Sequence, residues 1–371
     1  MILIKNADIY TPKHLGKRDL LIAFDKIAEI GENLNPNIKD IEIIDLKGKK
    51  LVPGFIDQHV HVIGGGGEGG FESATPPLKF SHAVEAGVTT LVGVLGTDGI
   101  TKTTENLLAK IKALNNEGIT AYCLSSSYHY PEQPLTSSIM KDIAYISEIL
   151  GCKLAFSDHR GSHPTKQEII RLVSDIRVAS LIAGKPGVLH IHIGPFKAGI
   201  KPIMEIVEET DIPIFHFRPT HMCRHMQDAV DFANMGGFAD FTAGEGIAEK
   251  LAWLRDKAPH KNITLSSDSN GSAPIWDENH NVIGIGIGKM TSLYDTIREL
   301  VVKYNIPLEN ALEYITVNVA DALNFVNKGR IAEGKDADLT VLDDDLNISG
   351  VFAKGKELMK DKLVLKKGMF E

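Results

Sequence analysis

Short apolar runs and longer amphipathic segments alternate along most of this chain. Eight runs stand out: GFIDQHVH, VTTLVGVLG, ITAYCLSSSY, CKLAFSDHR, GVLHIHIG, IPIFHFRPTH, FADFTAG and ITLSSDS. Their starts fall roughly 25 to 35 residues apart, the length of one strand–helix unit. The stretches between them, such as KTTENLLAKIKALNNEG and TSLYDTIRELVVKY, carry helical periodicity. Eight such units in a row predict an α/β fold, a (β/α)8 barrel of the TIM type, with a doubly wound sheet as the alternative. The two ends read differently, as short strands broken by turns rich in Gly, Asn and Lys (MILIKNADIY, IEIIDLKGKKLV, GKDADLTVLDDD). Chain ends often lie close together. A small β domain of residues 1–52 plus 331–371 is therefore expected beside a barrel of residues 53–330.

Composition narrows the class. With 371 residues, 43% hydrophobic and 24% charged, the chain has the profile of an ordinary globular enzyme, not of a disordered one. A net charge of -8, from 40 basic and 48 acidic residues, disfavours a nucleic-acid partner. Cys123, Cys152 and Cys223 are odd in number and unclustered, unlike a disulfide framework or a thiolate zinc site. No signal-peptide pattern opens the chain. No window reaches the roughly 18 apolar residues that cross a bilayer. No membrane partner is expected, and the default location is cytoplasmic.

In barrels of this type, functional side chains sit at the carboxyl ends of the strands. Polar residues cluster at those ends here. His59 and His61 end the first run; Lys153 lies in the fourth, followed by Asp158, His159 and Arg160. His190 and His192 end the fifth, His216 and His221 bracket the end of the sixth, and Asp268 ends the eighth. Residues two apart on a strand share a face, so His59 and His61 can address one metal ion. Taken alone, each position has a plainer explanation: capped histidines, a snorkelling lysine, an Asx turn at Asp268. Together they form a set of imidazoles and anionic oxygens suited to zinc or a similar divalent ion.

The strings DQHVHVIGGGGE, AGVTTLVGVLGTD, SSYHYP, SDHR, PTHMCRH and TLSSDSNGSAP resemble the amidohydrolase superfamily and, within it, the isoaspartyl (β-aspartyl) dipeptidases. The resemblance runs nearly end to end. It implies a dinuclear site: His59, His61 and Asp268 on one metal, His192 and His221 on the other, and Lys153, carboxylated by carbon dioxide or bicarbonate, bridging them. It selects His192 over His190 and His221 over His216, leaving the other two to pack or hydrogen-bond within their strands. It further implies two divalent ions, zinc foremost, a metal-bridged hydroxide, Asp268 as proton shuttle and Tyr128 as donor to the oxyanion. Glu68 would meet the substrate's α-amino group. Arg160, Arg224, Ser272 and Thr97 would hold its carboxylates. Relatives of this kind are commonly homo-oligomers.

Several positions depart from the family pattern. The loop GGFESATPP, the stretch FTAGEG, Ser269 where glycine is expected, and the added His216 and Arg218 bear on the leaving residue of the dipeptide. Two other functions stay open. One is hydrolysis of a cyclic amide, as in a hydantoinase or dihydroorotase, which would share all the metal ligands. The other is a non-catalytic barrel scaffold, a class that usually loses those ligands.

Overall fold

The computed structural model describes residues 1–276 and 282–371. All eight runs are strands: Phe55–Val60, Val88–Gly93, Thr120–Ser125, Ile149–Phe156, Val188–Ile193, Phe217–Thr220, Ala239–Thr242 and Ile263–Ser266. The first six pair in chain order as one parallel sheet, and the last two form a second parallel pair. Their residues are almost all buried. This is why they read as continuous apolar runs rather than alternating ones: a parallel strand is covered on both faces.

Helices connect successive strands. Helix Lys166–Ala183 shows why they form where they do. Thr165 and Glu168 make a reciprocal capping box at its start, and Gly184 ends it in the left-handed conformation. Ile169, Leu172, Val173 and Ile176 bury one face against the sheet.

The sheet curls, and its edges are occupied. At the first strand, the Asp268 amide donates to the His59 carbonyl (3.1 Å) and the His61 amide to the Ser269 carbonyl (2.8 Å). Ser267 Oγ donates to the buried Asp57 at 2.5 Å, and burial pushes that carboxyl up to about 7. At the other edge, Thr220 Oγ1 of the sixth strand donates to Asp240 Oδ2 of the seventh (2.7 Å).

Both chain ends contribute to one nine-stranded sheet. Strand Leu339–Leu342 runs antiparallel to Lys50–Pro53, which pairs with Ile2–Tyr10. An antiparallel hairpin, Ser272–Trp276 with Val282–Ile287, follows the eighth strand and was not anticipated from the sequence.

Candidate active site and metal centre

The carboxyl ends of the parallel strands converge on one pocket of about 300 Å³. Its lining includes His61, Glu68, Thr97, Tyr128, Arg160, His192, Arg224, Asp268 and Ser272, nine residues anticipated from the sequence. The other three anticipated residues are buried beside it: His59 Nε2 lies 3.4 Å from Asp268 Oδ1, Lys153 Nζ 3.4 Å from His59 Nε2, and the His221 ring centre 4.4 Å from that of His192.

His59, His61 and Asp268 each offer one ligand atom, and those atoms lie within 4.8 Å of one another. Asp268 Oδ1 is 3.1 Å from His61 Nε2 and 3.4 Å from His59 Nε2, yet it makes no hydrogen bond among the described residues. His221 Nε2 is likewise buried without a partner. Buried polar atoms normally find partners, and converging lone pairs with no proton between them suit a cation. The donor chemistry, imidazole nitrogen and carboxylate oxygen, is that of a divalent metal. His221 (φ 63°) and Asp268 (φ 54°) both occupy the left-handed region, a strained conformation that recurs at functional sites.

Lys153 has no exposure, and its Nζ lies 3.4 Å from His59 Nε2. Burial lowers its pKa to about 7, against the opposing fields of Asp268 and Asp240. Burial also holds His59 and His221 well below the usual imidazole range, so both are neutral and able to ligate.

His192 is tied more tightly than the sequence suggests. Its Nδ1 lies 2.7 Å from the Tyr128 hydroxyl, and its Nε2 lies 2.9 Å from Asp158 Oδ2. Burial pushes the Tyr128 phenol well above its ordinary range, so it remains an O–H donor. Arg160 forks onto Asp158 through Nε (3.0 Å) and Nη2 (2.9 Å) and reaches Glu68 Oε1 through Nη1 (3.1 Å). Ser272 Oγ donates to the same Glu68 oxygen at 2.9 Å. Arg224 Nη1 is anchored on the Ile193 carbonyl at 2.7 Å. The loop that carries Glu68 leaves His61 through Gly64, whose φ of +81° and contact with Thr75 exclude a side chain.

The two histidines set aside from the sequence behave differently from each other. His216 Nδ1 donates to the Gly187 carbonyl at 2.6 Å, as expected of a structural residue. His190 instead reaches the first strand, with Nε2 3.1 Å from His59 Nδ1. Arg218 lies inside the sheet, donating to the Phe215 and Ala322 carbonyls and stacking on Phe238. Sequence reasoning assigned no function to Asp158 or His190. The only signal for Asp158 was its place two residues before Arg160.

A sequence profile of the amidohydrolase family matches residues 221–358. A deacetylase of Brucella anthropi is 27% identical over 355 residues, covering 88% of this chain and 79% of that protein. An adenine deaminase of Clostridium perfringens is 27% identical over 388 residues, and this chain spans 61% of its length. The curled parallel sheet with its histidine and aspartate cluster is thus that of an amidohydrolase. Two crystal structures of the β-aspartyl dipeptidase of Fervidobacterium islandicum AW-1 are far more similar. One, in complex with a β-Asp-Leu dipeptide, has 42% identity, 98% coverage of both chains and a TM-score of 0.92. The other has 40% identity, the same coverage and a TM-score of 0.90. This chain belongs to the β-aspartyl dipeptidase family of the amidohydrolase superfamily.

Proposed function

We propose that this chain is a dinuclear metallopeptidase that hydrolyses the isopeptide bond of β-aspartyl dipeptides. The observation that carries the reading is the joining of Glu68, Arg160, Arg224 and Ser272 in one pocket above the His59, His61 and Asp268 cluster. A β-aspartyl dipeptide presents a free α-amino group, an α-carboxylate and a second carboxylate on the leaving residue. One acidic and two cationic groups match that charge pattern, whereas a cyclic amide lacks the α-amino group that Glu68 would meet.

In this reading the fold is a closed (β/α)8 barrel of residues 53–330, with residues 1–52 and 331–371 forming a small β domain. The edge contacts at His59, Ser269, Thr220 and Asp240 support closure. His59, His61 and Asp268 would hold one ion, His192 and His221 a second, and carboxylated Lys153 would bridge them; zinc suits the set. When bound, the two ions supply Lewis acidity that acidifies water and polarises a carbonyl. Asp268 would accept the proton released by the attacking water, through a carboxylate lone pair not committed to the ion, and would return it to the leaving amine. The Tyr128 hydroxyl, which meets His192 Nδ1 in the free site, would turn its proton to the oxygen on which charge develops once an ion occupies that nitrogen. Arg160 and Arg224 grip carboxylates, with Thr97 and Ser272 as hydroxyl donors. Burial keeps bulk water from His59, Lys153 and His221.

The test is direct. The purified protein, loaded with zinc and bicarbonate, is incubated with β-Asp-Leu and with its α-linked isomer, and free leucine is measured. Turnover of the β isomer well above that of the α isomer is expected. Absence of β-isomer turnover under these conditions overturns the reading.

A further inference from the structure

We propose that Asp158 is a positioning residue that sets the tautomer of His192 and the orientation of Arg160 together. What His192 and Arg160 then do rests on the dipeptidase reading above; the geometry that links them does not.

Asp158 is 1% exposed and follows the fourth parallel strand. Its Oδ1 accepts from the Arg160 backbone amide (2.9 Å) and Nε (3.0 Å), and its Oδ2 from Arg160 Nη2 (2.9 Å). A carboxylate held by both arms of a guanidinium is ionised and can only accept hydrogen bonds. His192 Nε2, 2.9 Å from the same Oδ2, must therefore carry the proton. A neutral imidazole with Nε2–H has its lone pair on Nδ1. That atom meets the Tyr128 hydroxyl at 2.7 Å, where the phenol donates. Arg160 Nη2 also lies 3.1 Å from His192 Nε2. Both nitrogens point at Oδ2, so their proximity follows from sharing one acceptor, and a buried carboxylate is a stronger acceptor than an imidazole nitrogen. Asp158 thus leaves Nδ1 as the one ring atom of His192 with a lone pair, which the Tyr128 hydroxyl meets here and a bound ion would take in its place. Carboxylates that fix the tautomer of metal-binding histidines are a recurrent device.

The position is built for this. The fifth strand passes so close that a Cβ at Gly194 would come within 2.6 Å of Asp158 Cα. The Gly194 amide donates to the Phe156 carbonyl (3.0 Å), and Ser157 Oγ to the Gly199 carbonyl (2.8 Å). The backbone on either side of Asp158 is therefore pinned. Ser272, Glu68, Arg160, Asp158, His192 and Tyr128 form one hydrogen-bonded chain across the pocket.

Three proteins separate this role from its alternatives: the parent, Asp158→Asn and Arg160→Met. Long-range 1H–15N spectra of each metal-free protein report the His192 tautomer. Zinc content under graded chelator reports ion retention, and β-Asp-Leu kinetics report KM and kcat. The parent and Arg160→Met are expected to show His192 as Nε2–H. Asp158→Asn should lose that preference and release one of two zinc equivalents about 10- to 100-fold more readily. KM should rise at least about tenfold in both variants, but only Asp158→Asn should lose metal. Parent-like tautomer and zinc retention in Asp158→Asn overturn the proposal, as does equal metal loss in Arg160→Met. If Asp158→Asn does not fold, the parent decides: an Nδ1–H tautomer there overturns it. A parent that fails to cleave β-Asp-Leu defeats the peptidase reading and leaves the tautomer result standing.

Discussion

Arg160 Nη1 lies 3.1 Å from Glu68 Oε1, so two groups assigned to opposite charges of a zwitterionic substrate face each other across the pocket. A bound dipeptide would replace this pair with its own ammonium and carboxylate, without leaving either residue unpaired. Glu68→Gln keeps the shape and removes the charge. A hydrogen bond to a charged group contributes about 1.5–3 kcal/mol. The substitution should therefore lower kcat/KM on β-Asp-Leu by about 10- to 100-fold. It should leave hydrolysis of a hydantoin, if any is found, nearly unchanged. Dipeptide kinetics within about twofold of the parent would remove Glu68 from recognition.

The parts of this molecule that sequence reasoning reached are those whose signal is local. Each of the eight parallel strands is a short run buried on both faces, so hydrophobicity alone marks it. His59 and His61 share a strand face by parity, and Asp268 ends the last run. The hairpin after Ser272 escaped because SAPIW contains a proline and VIGIGI alternates with glycine, both weak strand signals. Asp158 and His190 escaped for a different reason. Each acts on a partner in another strand, 34 residues away for Asp158 and 131 for His190. No spacing rule links residues that only strand pairing brings together.

His190 supplies a second prediction. Its Nε2 lies 3.1 Å from His59 Nδ1, which turns His59 Nε2 toward Asp268. His190→Phe fills the same space and deletes the bond. Metal retention should weaken about 10- to 100-fold. The unpaired His59 nitrogen should destabilise the protein by about 1–3 kcal/mol. Chelator competition and denaturant unfolding read the two effects. Parent-like values in both would make His190 a mere packing residue.

Lys153 tests the bridge. Lys153→Ala should lose metal and activity, and short carboxylic acids such as propionate should restore part of both by replacing the carbamate oxygens. In the parent, labelled bicarbonate should give a carbamate carbon signal that the variant lacks. Full activity in Lys153→Ala without added acid would reject the bridging role.

The last prediction concerns how the terminal sheet is held against the rest of the chain. Lys328 Nζ lies 2.9 Å from Asp336 and 2.5 Å from Asp338, just before strand Leu339–Leu342, and 2.9 Å from Thr120 Oγ1 of the third parallel strand. Burial opposes the charge of Lys328, but the two carboxylates raise its pKa overall; they keep it cationic. Asp336, also opposed by burial, is lowered overall by Lys328 and Lys26. The signs set the pH range. The contribution of Lys328 is complete below its unfolded pKa and fades only as pH rises through the raised folded value. That of Asp336 is complete above its unfolded pKa and fades as pH falls through the lowered folded value. The cluster is therefore intact across the neutral range and weakens on acidification below about pH 4. Lys328→Met keeps the stem but strands two carboxylates, and breaking a buried pair destabilises by about 3–5 kcal/mol. Urea unfolding at pH 7 should show that loss. At a pH acidic enough to protonate Asp336, the gap between parent and variant should narrow. A gap that stays constant with pH would mean that Lys328 acts through packing rather than charge.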